Sequence, residues 1–125
     1  MMRREVDAPE TPASPFYAQS LEVTGARRLL FVSGQVPSRN GVVPADFETQ
    51  ARLAWANLFA QLRAADMGPE NLVKVTIFLS DRQHVEGHRT VYDEVLAGRR
   101  ITVSTVIAGL VETGWHIEIE GIAAA

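Results

Sequence analysis

Cysteine is absent from this 125-residue chain, which excludes disulfides, thiolate nucleophiles and thiolate metal sites. Long apolar runs are missing as well. No segment approaches the length of a membrane-spanning helix, and the N-terminal residues contain no apolar stretch of the kind that signal peptides carry. We therefore expect a cytoplasmic protein that has no membrane partner.

An excess of positive charge is also lacking. The chain has 15 acidic residues against 12 lysines and arginines, which gives a formal net charge of −3. Proteins that bind nucleic acid mainly through its phosphates are usually basic overall or carry a basic stripe, whereas the arginines here are scattered along the chain. We therefore expect no nucleic acid among the partners.

The length of the chain and its 46% share of hydrophobic residues are typical of one globular domain. Three prolines among the first 15 residues predict a mobile, extended arm over residues 1–14, and residues 15–125 form the single predicted domain. Within this domain, apolar segments at 16–23 and 28–36 flank Gly25 and predict a β-hairpin.

Two helices and three further strands are predicted after the hairpin. Asp46 is the predicted N-cap of a helix that ends near Asp66, and residues 80–83 have the form of a capping box that opens a second helix, ending near Gly98. The strands are predicted over residues 71–79, 101–107 and 115–123. The order β-β-α-β-α-β-β predicts an α+β domain with two helices on one face of a mixed sheet.

The opposite face of this sheet has too little chain left to cover it, although its strands are apolar. Burial against other copies of the same chain would remove that face from water. We therefore expect a homo-oligomer with sites at the seams between subunits.

Several short strings occur in a characteristic order and spacing. They are FYAQ (16–19), FVSGQVP (31–37), LVKVTIFLSD (72–81), VYDEVL (91–96) and IEIEGIA (117–123). Each is weak by itself, but together they resemble the RidA/YjgF/YER057c/UK114 family, also called the Rid or L-PSP endoribonuclease-like family. The resemblance extends from about residue 14 to the C-terminus.

This resemblance implies a chorismate mutase-like fold that assembles as a homotrimer with a central barrel and three clefts between subunits. The best-studied members are deaminases, which hydrolyse reactive enamines and imines such as 2-aminoacrylate to 2-oxo acids and ammonia. In those members an arginine directly before a serine grips the substrate carboxylate, a task that suits the planar guanidinium fork.

The resemblance also implies site residues, which are assigned to this chain by their positions in the matching strings. A catalytic tyrosine falls on Tyr17 and a glutamate of the last strand on Glu118. The substrate-binding positions are Ser33, Gly34, Gln35, Arg89, Val103 and Ser104. The arginine of the family falls on Val103, and an asparagine frequent in imine-hydrolysing members falls on Arg89. Because valine cannot bind a carboxylate, Arg99 or Arg100 of the preceding loop is the candidate substitute.

Alternatives stay open for the ionisable residues. Glu118 is either a general acid or base or an interface charge, and Tyr17 either orients the substrate or fills an interface. His116, on the strand parity of Glu118, is a candidate catalytic proton shuttle or a strand-edge histidine. His84 and His88 have i, i+4 spacing without a third ligand, so we expect a solvent-facing pair, no metal site and no organic cofactor.

Three functions remain. The first is a hydrolase (deaminase) acting on an enamine, imine or related activated C–N compound that is larger or less acidic than 2-aminoacrylate. The second is a non-catalytic trimer that binds a small metabolite or a partner protein. The third, an endoribonuclease, is the least consistent with the net charge of −3.

Overall fold

The computed structural model describes residues 1–125 and contains six strands and two helices. The strands are β1 (Met2–Glu5), β2 (Leu21–Thr24), β3 (Leu29–Gln35), β4 (Leu72–Leu79), β5 (Thr102–Ile107) and β6 (Ile117–Ala124). The helices are α1 (Phe47–Ala64) and α2 (Val85–Leu96), and short 3-10 turns at Pro69–Asn71 and Arg82–His84 precede β4 and α2. The predicted order β-β-α-β-α-β-β is confirmed and begins with β2. One additional strand, β1, precedes it.

A mixed four-stranded sheet in the order β3-β6-β4-β5 forms the centre of the molecule. β6 is antiparallel to both β3 and β4, whereas β4 is parallel to β5. Parallel neighbours need a crossover connection, and α2 supplies it. β5 is the last strand in this order and therefore lies at an edge of the sheet, with α2 beside it.

The N-caps explain where the helical segments begin. The Asp46 side chain accepts a hydrogen bond from the backbone N–H of Thr49 at 3.0 Å, as predicted. The second helical segment is capped by Asp81, not by Ser80, because the Asp81 carboxylate accepts from the backbone N–H of Gln83 at 2.8 Å. Neither helix has the length and apolarity needed to cross a bilayer.

The core lies between the two helices and one face of the sheet. Its centre consists of residues with no exposed surface, namely Trp55, Leu58 and Leu62 of α1, Ile77 and Leu79 of β4, and Ile117 and Ile119 of β6. Because strand side chains alternate between faces, Glu118 and Glu120 point away from the helices.

The N-terminal strands pair differently from the prediction. β2 pairs with β1 in a separate two-stranded sheet, so the hairpin predicted between 16–23 and 28–36 is wrong. The seven-residue β3 pairs with the eight-residue β6 instead, and this pairing places Val32 of β3 in the same core cluster as Ile119 and Ala123 of β6. Residues 2–5 of the predicted mobile arm are thus strand-paired, whereas a domain boundary at residue 14 stays a prediction.

The face of the sheet that the helices leave uncovered is called the open face. It carries Leu29, Phe31, Lys74, Thr76, Ser104, Glu118, Glu120 and Ile122. Leu29 and Phe31 are 61% and 71% exposed. Apolar side chains this exposed on a strand are typical of a surface that packs against another molecule.

Candidate active site

A cavity of about 290 Å³ lies between α2, the edge strand β5 and the segment that precedes β2. We call it the α2 cavity. Its walls are formed by Phe16, Tyr17, Ile77, His88, Arg89, Tyr92, Asp93, Val103 and Thr105. Three of the predicted site residues, Tyr17, Arg89 and Val103, therefore meet in one place.

Arg100 fixes Tyr17 at the rim of the α2 cavity. Its guanidinium donates to the backbone carbonyls of Tyr17 at 2.9 Å and Ser14 at 2.8 Å, and it forms an ion pair with Glu5 at 2.7 Å. The hydrogen bond to Glu5, together with the negative charge of that carboxylate, raises the pKa of Arg100. Arg100 is thus a positioning residue, and it does not line the α2 cavity as the predicted substitute for the family arginine would.

Val103 and Ser104 point to opposite faces of β5. Val103 lines the α2 cavity together with Thr105, as expected for side chains two residues apart on a strand. Ser104 lies on the open face, where its hydroxyl accepts a hydrogen bond from Lys74 at 3.1 Å. The two predicted substrate-binding neighbours therefore do not share a site within one chain.

Arg89 is the cationic group of the α2 cavity. Its guanidinium carbon lies 5.4 Å from the centre of the Phe16 ring, a distance at which the ring face attracts a cation. No ion pair in the chain involves Arg89, even though Asp93 is four residues further along the same helix. The positive charge of Arg89 is therefore available to a ligand.

His88 and Tyr92 also line the α2 cavity, although neither was predicted to be a site residue. Both are buried, with exposed fractions of 5% and 8%, so the prediction of a solvent-facing His84/His88 pair is wrong for His88. The reason is that His88 packs against the core residue Trp55, whose indole N–H donates to its Nε2 at 3.4 Å. The spacing of His88, Arg89 and Tyr92 on one side of a helix was the signal that could have found them.

Burial shifts the protonation of these two side chains. It lowers the pKa of His88 to about 4, so the ring is neutral near neutral pH. It raises the pKa of Tyr92 to about 12, with the negative charge of Asp93 contributing in the same direction. The Tyr92 hydroxyl is buried and has no hydrogen-bond partner in the chain.

Glu118 lies on the open face against the backbone of Gly34. A Cβ atom at Gly34 would come within 2.7 Å of the carboxyl carbon of Glu118, so only glycine permits this approach. Ser33 and Gln35 flank Gly34 at an irregular step between β3 and β6, and the Gln35 amide donates to the Ser33 carbonyl at 3.0 Å. No hydrogen bond or ion pair within the chain engages the Glu118 carboxylate.

His116 directly precedes β6, which begins at Ile117, and its backbone carbonyl accepts a hydrogen bond from the Ser80 N–H at 3.1 Å. Its Nδ1 lies 3.1 Å from the Ser80 hydroxyl, and its ring centre is 5.0 Å from that of His84. The backbone N–H of His116 donates to the buried Gln50 at 2.9 Å. His116 therefore lies at the end of the sheet, and its role as proton shuttle stays a prediction.

Each chain thus presents two partial sites. Tyr17, Arg89 and Val103 lie on the helical side of β5, whereas Ser33, Gly34, Gln35, Ser104 and Glu118 lie on β3, β5 and β6 at the open face or its rim.

Comparisons of the sequence with a family model and with known proteins indicate the same family. The family model described as Endoribonuclease L-PSP matches residues 8–125. The mitochondrial protein mmf2 of Schizosaccharomyces pombe is 40% identical over 112 residues, which cover 86% of each chain. "Putative reactive intermediate deaminase TdcF" of Escherichia coli is 31% identical over 100 residues, which cover 76% of this chain and 78% of TdcF.

Solved structures show the same fold. The Rid-family protein YyfB of Yersinia pestis superposes with a TM-score of 0.85 over the full length of both chains, at 24% identity. The structure of E. coli TdcF with bound serine has a TM-score of 0.69 and 28% identity, and the match covers 98% of both chains. The chain is an α+β domain with two helices on a mixed sheet, and the family model matches residues 8–125. This chain therefore belongs to the Rid/YjgF family, whose model is described as Endoribonuclease L-PSP.

Proposed function

We propose that this chain is a hydrolase of enamines, imines or related activated C–N compounds, and that its active sites lie between copies in a homotrimer. One observation carries the proposal. The unpaired Glu118 carboxylate and the cavity of Tyr17 and Val103 lie on different faces of the sheet, so a cleft that contains both would need a second copy of the chain. The reactive intermediate deaminase name of TdcF supports this kind of chemistry.

The proposed reaction has a simple balance. An enamine first takes a proton on carbon and becomes the iminium ion, and water then adds to the iminium carbon while it gives up a proton. The carbinolamine that results expels ammonia and leaves a carbonyl compound. Glu118 accepts the proton of the attacking water and returns a proton to the leaving nitrogen, which is the work of one general base and acid. Tyr17 orients the substrate at the other wall of the cleft.

Val103 sets the expected substrate preference. In the α2 cavity this position offers an apolar surface, whereas a carboxylate needs a charged, bidentate donor for tight binding at that place. The proposed substrate therefore places an apolar part against Val103, and 2-aminoacrylate is hydrolysed poorly. The substrate is accordingly larger than 2-aminoacrylate or carries its charge elsewhere.

Subunit complementation tests both the chemistry and the shared cleft. Tyr17→Phe and Glu118→Gln are each assayed for release of ammonia from a panel of imines, and the two variants are then unfolded, mixed and refolded together. If Tyr17 of one copy meets Glu118 of the next, about one quarter of the clefts in random mixed trimers regain both residues. Activity should return in the mixture.

The controls are each variant refolded alone and a mixture of two intact, unexchanged oligomers, which should stay inactive. If both variants are inactive but the mixture does not recover, the proposed shared cleft is wrong. If the wild type binds keto compounds and releases no ammonia from any imine, the non-catalytic binding function replaces the hydrolase.

A further inference from the structure

We infer that Glu5, in the N-terminal strand β1, is a positioning residue for Tyr17 and acts through Arg100. Glu5 does not line the α2 cavity, so its effect on the candidate site is indirect. The inference rests on the proposed function for its effect on turnover. Its effect on the backbone at Tyr17 can be measured without any substrate.

Tyr17 lies in a segment without regular secondary structure. Residues 6–20, between β1 and β2, form neither a helix nor a strand, so individual hydrogen bonds determine the backbone conformation there. The peptide group between Tyr17 and Ala18 is bonded on both sides. Its carbonyl accepts from the Arg100 guanidinium at 2.9 Å, and its N–H donates to the Ile101 carbonyl at 3.0 Å. These two bonds fix the plane of the peptide group and, with it, the backbone orientation at Tyr17.

Glu5 forms the one ion pair of Arg100. A terminal nitrogen of the guanidinium donates to the carbonyls of Tyr17 and Ser14, and its Nε–H donates to the Glu5 carboxylate at 2.7 Å. Both side chains of the ion pair are 33% exposed, so water competes for these contacts. Without the Glu5 carboxylate, the guanidinium can turn toward solvent, and the two carbonyls then lose their donor.

The position of Glu5 is itself determined by strand β1. Glu5 is opposite Leu21 in the antiparallel pairing of β1 with β2. Two residues earlier, Arg3 donates to the backbone carbonyls of Glu70 and Leu72 at the start of β4. Side chains two residues apart point to the same side of a strand, so Arg3 and Glu5 both face the domain. The strand is therefore anchored to β4, and it brings the Glu5 carboxylate to Arg100.

Hydrogen exchange of the Ala18 amide, followed by NMR in the intact oligomer, measures the stability of this arrangement. Ala18 is buried, and its N–H exchanges when its bond to Ile101 opens. We expect Glu5→Ala to accelerate this exchange ~5-fold and to lower kcat/KM for imine hydrolysis ~5-fold, as fits the loss of one partly exposed ion pair. Amides of the central strand β4 should keep their exchange rates, which would exclude a general loss of stability.

Three further variants separate this role from a general effect of charge. Glu22→Ala is the matched control, because it removes the ion pair between Arg4 and Glu22 on the same two-stranded sheet and should change neither readout. Glu5→Gln keeps an oxygen acceptor for the Nε–H, so both readouts should stay within ~2-fold of the wild type. Arg100→Gln removes the guanidinium. In that variant Glu5→Ala should have no further effect, because residues that act through one contact are not additive.

The inference is overturned if Glu5→Ala and Glu22→Ala give the same exchange rate for the Ala18 amide. It is also overturned if Glu5→Ala keeps its full effect in the Arg100→Gln variant. A wild type that releases no ammonia from any imine would remove the hydrolase, whereas the exchange rates would still decide the role of Glu5. Faster exchange with unchanged turnover would support the positioning by Glu5 and remove Tyr17 from the proposed mechanism.

Discussion

The carboxylate of Glu118 lies directly on the backbone of Gly34, where a Cβ atom would come within 2.7 Å of its carboxyl carbon. Gly34 belongs to β3 and Glu118 to β6, so the pairing of these two strands places the carboxylate beside the Gly34 backbone. The contact is with the end of a flexible side chain, and a substitution at Gly34 should therefore move Glu118 without disrupting the fold.

Gly34→Ala should displace the Glu118 carboxylate and lower kcat/KM for imine hydrolysis up to ~100-fold, the effect of misplacing a catalytic group by about 1 Å. Gly109→Ala is the matched control, since an added Cβ there meets no atom within 4 Å. Steady-state kinetics and thermal unfolding of both variants provide the measurement. Equal activity of the two variants would show that the position of Glu118 does not matter for turnover.

We expect the residue at position 103 to determine the activity toward 2-aminoacrylate. The wild type should hydrolyse this substrate at least ~100-fold less efficiently than a relative with arginine at this position, because two charge-assisted hydrogen bonds are missing. Val103→Arg should recover part of the activity, whereas Val103→Gln, which adds length without charge, should not. A wild type as efficient as such a relative would show that the α-carboxylate is bound by another group.

The open face should mediate assembly. Phe31→Asp places a charge where Phe31 is 71% exposed in the single chain, and burying an unpaired charge between copies should weaken assembly at least ~100-fold. Val111→Asp is the control, because Val111 is 87% exposed and lies outside the strands. Light scattering should find a trimer for the wild type and Val111→Asp, and a smaller species for Phe31→Asp. A wild-type monomer at micromolar concentration would contradict the homotrimer.

His88 should make stability depend on pH. Burial lowers its pKa to about 4 in the folded chain, against about 6.5 in the unfolded chain. The unfolded state therefore binds a proton first as the pH falls, and the free energy of unfolding decreases between pH 6.5 and 4 by up to about 3 kcal/mol. Burial and the nearby His116 lower the pKa of His84 as well, which adds a smaller effect of the same sign.

The measurement is urea unfolding at several pH values and one fixed protein concentration, since assembly also contributes to stability. His88→Gln keeps an acceptor for the Trp55 N–H and removes the titration, so its stability should change much less over this range. If the two proteins lose stability in parallel as the pH falls, His88 is not the source.

The sequence by itself determined the family of this domain and its elements from β2 onward, whereas β1 was not predicted. Asp46 begins a helix because its side chain can accept from Thr49 nearby, and β4 and β6 follow from local alternation of apolar residues. These signals depend on residues that are close together in the chain, so they can be recognised from the sequence without the tertiary structure. The assignment of the family arginine to position 103 also rests on neighbours in sequence, and it stays a prediction.

The pairing of strands and the composition of the site were decided only by tertiary structure. β2 and β3 are neighbours in the chain, yet β3 pairs with the distant β6, an arrangement that places Val32 in the core cluster with Ile119 and Ala123. Arg100, predicted to reach for a substrate, is bonded instead to Glu5, Ser14 and Tyr17. Burial of His88 and Tyr92 against Trp55 depends on how α1 and α2 pack, and no local pattern specifies which polar side chains that packing leaves without a partner.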